Sequence, residues 1–237
     1  MKKFSLIMLA LAALALAGCS KKAEAQGVSS SGSSSRSTVR ESPVSDFSYE
    51  LTEDGRGIMI IRYTGAGGAV VIPSAIEGFP VLVIGYRAFK GSPSDETNNC
   101  NAVTSIVVPN SVERFQTNLW DRSSRHSEAF EYMRGLTKVT LPDSLRIIPE
   151  LVFVGCIKLA SINLPSSLEE IGCGAFQNCV ELTDLVIPDS LTSIRFPDLS
   201  NGPNRDQFGD NSAFTGCQKL PIRTRQRLQE LGYESGF

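Results

Sequence analysis

His126 is the only histidine in the chain and the side chain best suited to acid–base chemistry, because an unperturbed imidazole titrates near neutral pH. Asp121 and Glu128 lie close to it in the sequence, together with three serines. A serine, a histidine and a carboxylate form a nucleophilic triad only on a rigid scaffold that also offers an oxyanion site. The polar segment around His126 predicts a loop, so we expect a solvated histidine with no catalytic role.

Oxygen-bearing side chains alternate in Asp206-Gln207-Phe208-Gly209-Asp210-Asn211, which is faintly similar to a calcium-binding loop. The rest of that motif is absent, and glycine, aspartate and asparagine are also typical of turns. The chain contains no P-loop, Gly-x-Ser-x-Gly or His-Glu-x-x-His motif. We therefore expect no catalytic residues, no bound metal and no cofactor.

The composition fits one domain of moderate size or a short array of repeats. The 237 residues are 41% hydrophobic, which excludes a fully disordered chain. Lys and Arg number 23 against 25 Asp and Glu, so the net charge is −2. This near balance lacks the basic footprint of nucleic-acid-binding proteins. We expect no nucleic acid partner.

The N-terminus has the organisation of a bacterial secretion signal. Met1-Lys2-Lys3 is basic, and the 14 residues from Phe4 to Ala17 are apolar with one exception. A membrane span takes roughly 20 apolar residues, so this run fits a signal-peptide core better. It ends in Leu16-Ala17-Gly18-Cys19, which resembles the lipobox of bacterial lipoproteins. We expect residues 1–18 to be removed and Cys19 to be lipidated; plain secretory cleavage before Cys19 is the alternative.

The residues after the signal predict a membrane tether, 19–45. Several acyl chains on one cysteine give stable anchoring, because each buried CH₂ contributes about 0.8 kcal/mol. Ser20 follows Cys19, which resembles a lipoprotein destined for the outer membrane. Between Gly27 and Ser37, seven serines and two glycines predict a flexible coil. The tether would reach roughly 28 Å; a glycosylated or partner-binding serine tract is the alternative.

An internal repeat dominates residues 46–237. Four segments share an aliphatic step that ends in proline: Ile106-Val107-Val108-Pro109, Val139-Thr140-Leu141-Pro142, Ile162-Asn163-Leu164-Pro165 and Leu185-Val186-Ile187-Pro188. The last three prolines are 23 residues apart, and Leu, Ile, Phe and Cys follow each of them in the same order. Insertions of ten and fifteen residues, in the first and last of these four units, come between the aromatic or isoleucine position and Ala-Phe. A period of 23 lies in the range where short strands stack into one parallel sheet.

The pattern Leu-x-x-Ile-x-Leu-Pro-x-x-Leu-x-x-Ile-Gly-x-x-Ala-Phe-x-x-Cys resembles the BspA-like, Treponema-type leucine-rich repeat. The resemblance covers residues from about Asp46 to Phe237. It implies an α/β-type repeat solenoid of 23-residue coils with short parallel strands. Phe47 to Leu51 and Ile58 to Tyr63 predict an N-terminal hairpin cap. Pro221 to Leu231 predicts a short C-terminal helical cap.

Sulfur side chains recur at one position of the repeat, three residues before the first strand position: Cys100, Met133, Cys156, Cys179 and Cys217. This recurrence predicts a buried column of small apolar groups. Disulfides between adjacent coils are the alternative, because neighbouring strands lie about 4.8 Å apart. A metal site lacks a Cys-x-x-Cys pair or a nearby histidine. Cys173 lies off this position, and the redox state of the five cysteines stays open.

Binding surfaces are predicted at outward strand positions and in the two insertions. The outward positions form two stripes, Ser105, Lys138, Ser161, Asp184 and Val107, Thr140, Asn163, Val186. They predict an exposed concave sheet, although β-favouring surface residues would give the same pattern. The insertions should leave the solenoid at one edge, and Trp120, Arg122 and Phe208 are their candidate contacts, because Trp and Arg are enriched at interface hot spots. Trp120 folded back over the solenoid is the alternative.

Together these patterns predict a bacterial outer-membrane lipoprotein, lipid-anchored and surface-exposed. Its solenoid would bind a macromolecular ligand, in our interpretation a protein. The family resemblance implies adhesion to host matrix proteins or to other cells. The alternative is a periplasm-facing lipoprotein that organises envelope proteins, and an enzyme is disfavoured.

Overall fold

The computed structural model describes residues 40–95, 97–118, 126–195, 213–233 and 237. The described part begins with the hairpin that the alternating apolar residues predict. Strands β1 (Phe47–Leu51) and β2 (Ile58–Tyr63) pair antiparallel, with Phe47 opposite Tyr63 and Leu51 opposite Ile58. A 3-10 turn at Val44–Asp46 precedes them.

Short strands then recur along the described residues until a helix near the end. They are β3 (Gly68–Val71), β4 (Ala75–Ile76), β5 (Phe79–Ile84), β6 (Val103–Val107), β7 (Arg114–Phe115), β8 (Lys138–Thr140), β9 (Ile147–Ile148), β10 (Ser161–Asn163), β11 (Glu170–Ile171) and β12 (Ser193–Ile194). A 3-10 turn at Asn99–Ala102 leads into β6, and helix α1 covers Ile222–Glu230. None of the helical segments in the described ranges is long and apolar enough to cross a membrane.

The strands of the first sheet come mainly from the aliphatic segments that precede the prolines of the repeat. It has the order β10-β8-β6-β3, and its strands are parallel. Ser161 pairs with Lys138 and bridges to Asp184, which lies 23 residues further along the chain. The inward–outward alternation is kept, since Ile106, Val139 and Ile162 are buried while their neighbours face outward. The predicted parallel solenoid sheet is therefore confirmed.

The last predicted strand is reduced to a single bridge. Leu185-Val186-Ile187 forms no strand, and only Asp184 pairs with the preceding coil. Among the described residues no further strand lies beyond this segment in the first sheet, so it lacks the second ladder that would hold it extended. Leu164, two residues after the buried Ile162, is only half-buried.

A second sheet includes the short strands that come after the prolines in the sequence. One part has the order β1-β2-β5-β4, with β7 added to β5, and the other part has the order β12-β11-β9. Strands β7, β9, β11 and β12 occupy the same place in four successive coils. Within the described ranges β7 and β9 do not pair with each other, so the second sheet is interrupted between these two adjacent coils.

One column of aromatic rings runs through the core. Phe130, Phe153, Phe176 and Phe214 stack with centroids 5.2, 5.5 and 5.3 Å apart. At one end Phe89 leads to the hairpin residue Tyr63, and at the other Tyr233 packs edge-on against Phe214. Stacked rings exclude water from each coil boundary and hold the coils in register.

Contacts with the domain begin upstream of Asp46. The Glu41 carboxylate accepts hydrogen bonds from the amide and hydroxyl of Ser74, and Ser42 bonds to Val71 through both its amide and its hydroxyl. Glu41 and Ser42, which the prediction assigns to the tether, therefore bind to the first coil. The predicted signal peptide and Cys19 lie outside the described residues.

Candidate ligand-binding surfaces

The outward face of the first sheet is the first candidate surface. The registers bring the predicted stripes together: Ser105, Lys138, Ser161 and Asp184 are successive neighbours, and Val107, Thr140 and Asn163 are too. A shallow depression of 510 Å³ is lined by six of the eight predicted residues, namely Lys138, Thr140, Ser161, Asn163, Asp184 and Val186. Repeat spacing alone was sufficient to place these side chains on one face.

Some side chains of the two stripes also make hydrogen bonds between coils. Asn163 accepts a hydrogen bond from the Leu141 amide at 3.0 Å, so its amide group extends the ladder past β8. Ser161 donates to Asp184 across the coil boundary at 2.7 Å. Val186, by contrast, is 76% exposed. The face therefore offers an apolar contact beside opposite charges, Lys138 and Asp184.

A groove of 810 Å³ on the second sheet is the second candidate surface, and sequence analysis did not predict it. The exposed apolar side chains in its lining are Leu51, which is 53% exposed, and Ile147, which is 49% exposed. Six carboxylates line it, Glu50, Glu53, Asp54, Glu113, Glu150 and Glu170, against three guanidinium groups, Arg114, Arg146 and Arg195. The groove is thus amphipathic and predominantly acidic.

The two insertions leave the coils beside this groove. Thr117 and Arg195, which line it, are at the starts of the two insertions. Asn118 donates its amide to the His126 carbonyl at 2.8 Å, which closes the base of the first insertion. The prediction of a shared edge is consistent with these starting points. Trp120, Arg122 and Phe208 themselves lie outside the described residues.

Pro149 accounts for the break in the second sheet. At the matching position of other coils, the amides of Gln116, Gly172 and Arg195 each donate to the preceding coil at 2.8–2.9 Å. Proline has no N–H and cannot make this bond. The described backbone bonds accordingly join β9 to β11 but not to β7.

His126 differs from the solvated residue that its polar context predicts. Its side chain is 28% exposed, and Nε2 lies 3.2 Å from Glu150 Oε2. It also forms a β-bridge to Glu150, because the first coil residue after the insertion returns to the ladder. The hydroxyl of neighbouring Ser127 is buried without a hydrogen-bond partner among the described residues. These residues therefore do not form a nucleophilic triad.

A buried charge cluster lies on the coil after the first insertion. Glu128 accepts hydrogen bonds from Arg87, Lys90 and Tyr86, and Lys90 also contacts Glu131. Burial raises the pKa of Glu131 to about 7, and the neighbouring Glu128 carboxylate adds to the rise against the opposing effect of Lys90. The pKa of Glu128 is lowered to about 2, because hydrogen bonds and cations outweigh burial. Sequence analysis missed this cluster, since Arg87 and Lys90 come from an earlier coil.

The five described cysteines are thiols within the core, and none of them forms a disulfide. The sulfurs of Cys156, Cys179 and Cys217 donate to the carbonyls of Phe130, Phe153 and Phe176 one coil earlier, at 3.0–3.3 Å. Met133 is fully buried at the same position. The predicted buried column is confirmed, and the alternative of disulfides between these coils is not.

Comparison with known proteins agrees with this geometry. A protein from T. pallidum, described as a leucine rich repeat protein, is 30% identical; the match covers 84% of this chain and 99% of that one, with a TM-score of 0.57. The family model for the BspA type leucine rich repeat region (6 copies) matches residues 123–204. The chain belongs to the BspA-type leucine-rich repeat family. Within that family, repeats of this kind are suited to protein–protein interaction, and no catalytic family is indicated.

Two further repeat structures share the fold. A leucine-rich repeat protein from Bacteroides ovatus is 27% identical with a TM-score of 0.51, over 65% of this chain and 37% of that one. A leucine rich cell surface protein from Faecalibacterium prausnitzii is 26% identical with a TM-score of 0.55, over 80% of this chain and 41% of that one. Among curated proteins, no match was found. The match spans nearly the whole of the T. pallidum chain but less than half of each of these two longer chains.

Proposed function

We propose that this BspA-type repeat protein is a bacterial cell-surface lipoprotein that adheres to host matrix proteins or to other cells. The exposed first-sheet face is the observation that carries this proposal. It is open over three coils, and its residues from Lys138 to Val186 combine an apolar contact with both charges. Such a mixture suits recognition of a protein surface better than a small molecule, which needs a concave and mostly apolar site.

The surface location rests on the lipobox-like Cys19 and on one relative. The protein from F. prausnitzii is described as a cell surface protein. Mass spectrometry of the mature N-terminus would test the anchor: we expect acylated Cys19 as the first residue. An unmodified Cys19 would remove the lipid anchor from the proposal.

Protease shaving of intact cells tests the location. We expect loss of the repeat domain while a periplasmic marker protein stays intact, and digestion of lysed cells provides the control for a resistant fold. Protection in intact cells together with digestion in lysates would favour the periplasm-facing scaffold and overturn the adhesion proposal.

A matched pair of variants tests the first-sheet face. Val186 is 76% exposed on this face, and Ile222 is 75% exposed on helix α1. We expect Val186→Lys to weaken binding to immobilised matrix proteins at least fivefold, whereas Ile222→Lys leaves it unchanged. Equal effects of both variants would contradict the assignment of the face.

Trp120 provides a separate test of the first insertion. If it is an interface anchor, Trp120→Ala lowers binding while the unfolding midpoint in urea stays the same. Lower stability with unchanged binding would show instead that Trp120 packs on the solenoid.

A further inference from the structure

One edge of the first sheet is covered by the segment that precedes the hairpin. Strand β3 is the last strand of that sheet, and in the described ranges no other strand pairs with its outer side. The Ser42 amide donates to the Val71 carbonyl at 2.8 Å, and the Ser42 hydroxyl accepts from the Val71 amide at 3.0 Å. A strand of another chain would bind these same two backbone groups. Ser42 therefore occupies the place of an added strand.

The same segment is fixed at a second point, beyond the end of β3. The Glu41 carboxylate accepts hydrogen bonds from the amide and the hydroxyl of Ser74, both at 2.8 Å. Arg40 and Glu41 are exposed, so the segment also places two charged side chains beside the edge. We call residues 40–43 the strap.

Strand β3 lacks charges of its own that would protect its edge. From Thr64 to Ser74 the chain has no charged side chain, and Gly68–Val71 contains only glycine, alanine and valine. Backbone groups point alternately to the two sides of a strand, so exposed Ala69 faces outward as Val71 does, and no described hydrogen bond reaches it there. An uncharged segment of this kind at a sheet edge is a template for pairing with another chain.

The opposite end of the first sheet is protected in a different way. Asp184 places a carboxylate at the last bridge of the sheet. The hydroxyl of Thr224, on helix α1, donates to the carbonyl of Leu185 at 2.7 Å. Charge and a covering helix protect that end, whereas β3 has the strap.

We propose that the strap prevents β3 from pairing with the β3 strand of a second copy of this chain. Displacement of the strap frees the outer backbone groups of Val71, which join those of Ala69 as an open edge. Two such edges pair antiparallel about a twofold axis. Because both copies use the same edge, the interface closes on itself and gives a dimer rather than a fibre. Self-association is thus controlled by a segment that lies outside the repeats.

Sedimentation equilibrium of the full chain tests the strap, with Cys19→Ser in every variant so that no acyl group is attached. We expect Glu41→Ala/Ser42→Pro to dimerise at concentrations where the parent is a monomer, because it removes the carboxylate, the hydroxyl and the amide that hold the strap. Asp95→Ala is the matched control, since the Asp95 carboxylate likewise accepts from the amide and the hydroxyl of Thr97, and it should stay monomeric. Equal masses for the strap variant and its parent would overturn the proposal.

A charge placed on the edge distinguishes strand pairing from association of a loosened fold. In the strap variant, Ala69→Lys should restore the monomer, because it brings like charges to both paired edges. Ile222→Lys adds the same charge on helix α1 and should leave the dimer intact. A dimer that persists with Ala69→Lys, or one that both substitutions dissociate, would overturn the assignment to β3.

Hydrogen exchange followed by NMR identifies the backbone groups that pair. In the parent we expect slow exchange at the Val71 amide and fast exchange at the Ala69 amide. In the strap variant both amides should exchange fast when the protein is dilute and at least tenfold more slowly in the dimer. An Ala69 amide that exchanges equally fast at both concentrations would exclude pairing through β3.

Discussion

At the scale of single residues, burial determines the reactivity of the cysteines at the repeated sulfur position. Burial raises the pKa of Cys156 and of Cys217 to about 12, and it raises the pKa of Cys179 well above its ordinary value. The thiolate is the reactive form of cysteine, so these residues should be inert in the native protein. Their role is to fill the space beside the aromatic column and to donate to its carbonyls.

We expect iodoacetamide at pH 8 to leave Cys156, Cys179 and Cys217 unmodified in the native protein and to modify them in guanidinium chloride. Peptide mapping by mass spectrometry measures each site separately and keeps Cys19 apart from the core cysteines. Native modification at the unfolded rate would contradict the burial of this column.

The Glu128–Glu131 pair predicts an unusual pH dependence. A raised pKa of Glu131 in the folded state means that the folded protein binds the proton more tightly, so stability is lost as the pH rises from about 4.5 towards 7. Glu128 has the opposite sign, and its contribution is lost as the pH falls from about 4.5 towards 2.

We expect Glu131→Gln to flatten the fall in stability between pH 4.5 and 7, because glutamine cannot ionise. Urea unfolding at a series of pH values measures this change, and Glu230→Gln, at an exposed position of α1, is the matched control. An unchanged pH profile in Glu131→Gln would show that Glu131 does not titrate in this range.

At the scale of the elements, the coils are held together by stacked phenylalanines and by close backbone approach. Phe153 is fully buried between Phe130 and Phe176. A Cβ at Gly172 would lie 2.5 Å from the amide nitrogen of Glu150 in the preceding coil, so only glycine fits there. Gly172 therefore permits the close approach of its coil to the preceding one.

We expect Phe153→Ala to lower the free energy of unfolding by about 3–5 kcal/mol, because it leaves a cavity in the middle of the column. Phe79→Ala, at a side chain that is 40% exposed, is the control and should cost less than about 1 kcal/mol. Urea unfolding of the two variants compares them. Similar costs would show that the column does not hold the coils together.

Several features of the coil could be predicted from the sequence and others could not. The inward isoleucines and the aromatic column follow from side-chain type at fixed spacing. The backbone conformation two residues before each column phenylalanine could not be predicted. Arg87, Glu128 and Leu151 have positive φ values of 59°, 48° and 58° at this position. Only Gly174, at the same position of another coil, is a residue type that favours positive φ. Contacts across the coil boundary impose this conformation on residues that do not favour it.

At the scale of the whole molecule, the two ends of the aromatic column are covered by different elements. The hairpin places Phe47 and Tyr63 on Phe89. The C-terminal segment places Tyr233 on Phe214, and the Tyr233 hydroxyl accepts a hydrogen bond from the Phe214 amide at 2.9 Å. Terminal repeats need such covering, because each coil buries its apolar face only against a neighbour.

We expect deletion of residues 221–237 to lower the unfolding midpoint in urea and to cause self-association, since Phe214, Cys217 and Leu220 lose their cover. Sedimentation equilibrium measures the association. Ile222→Ser in the full chain, at a side chain that is 75% exposed, should change neither quantity. A monomeric deletion variant with an unchanged midpoint would show that the segment does not protect the core.

The repeat, the first sheet and the buried cysteine column could be predicted from the sequence, because each depends on a pattern that recurs at a fixed spacing. The places where that repetition is broken became visible only in the folded chain. Pro149 removes one inter-coil hydrogen bond, and the second sheet is interrupted there beside an acidic groove. The partners of a backbone amide or a buried carboxylate come from other coils, so local patterns do not contain them.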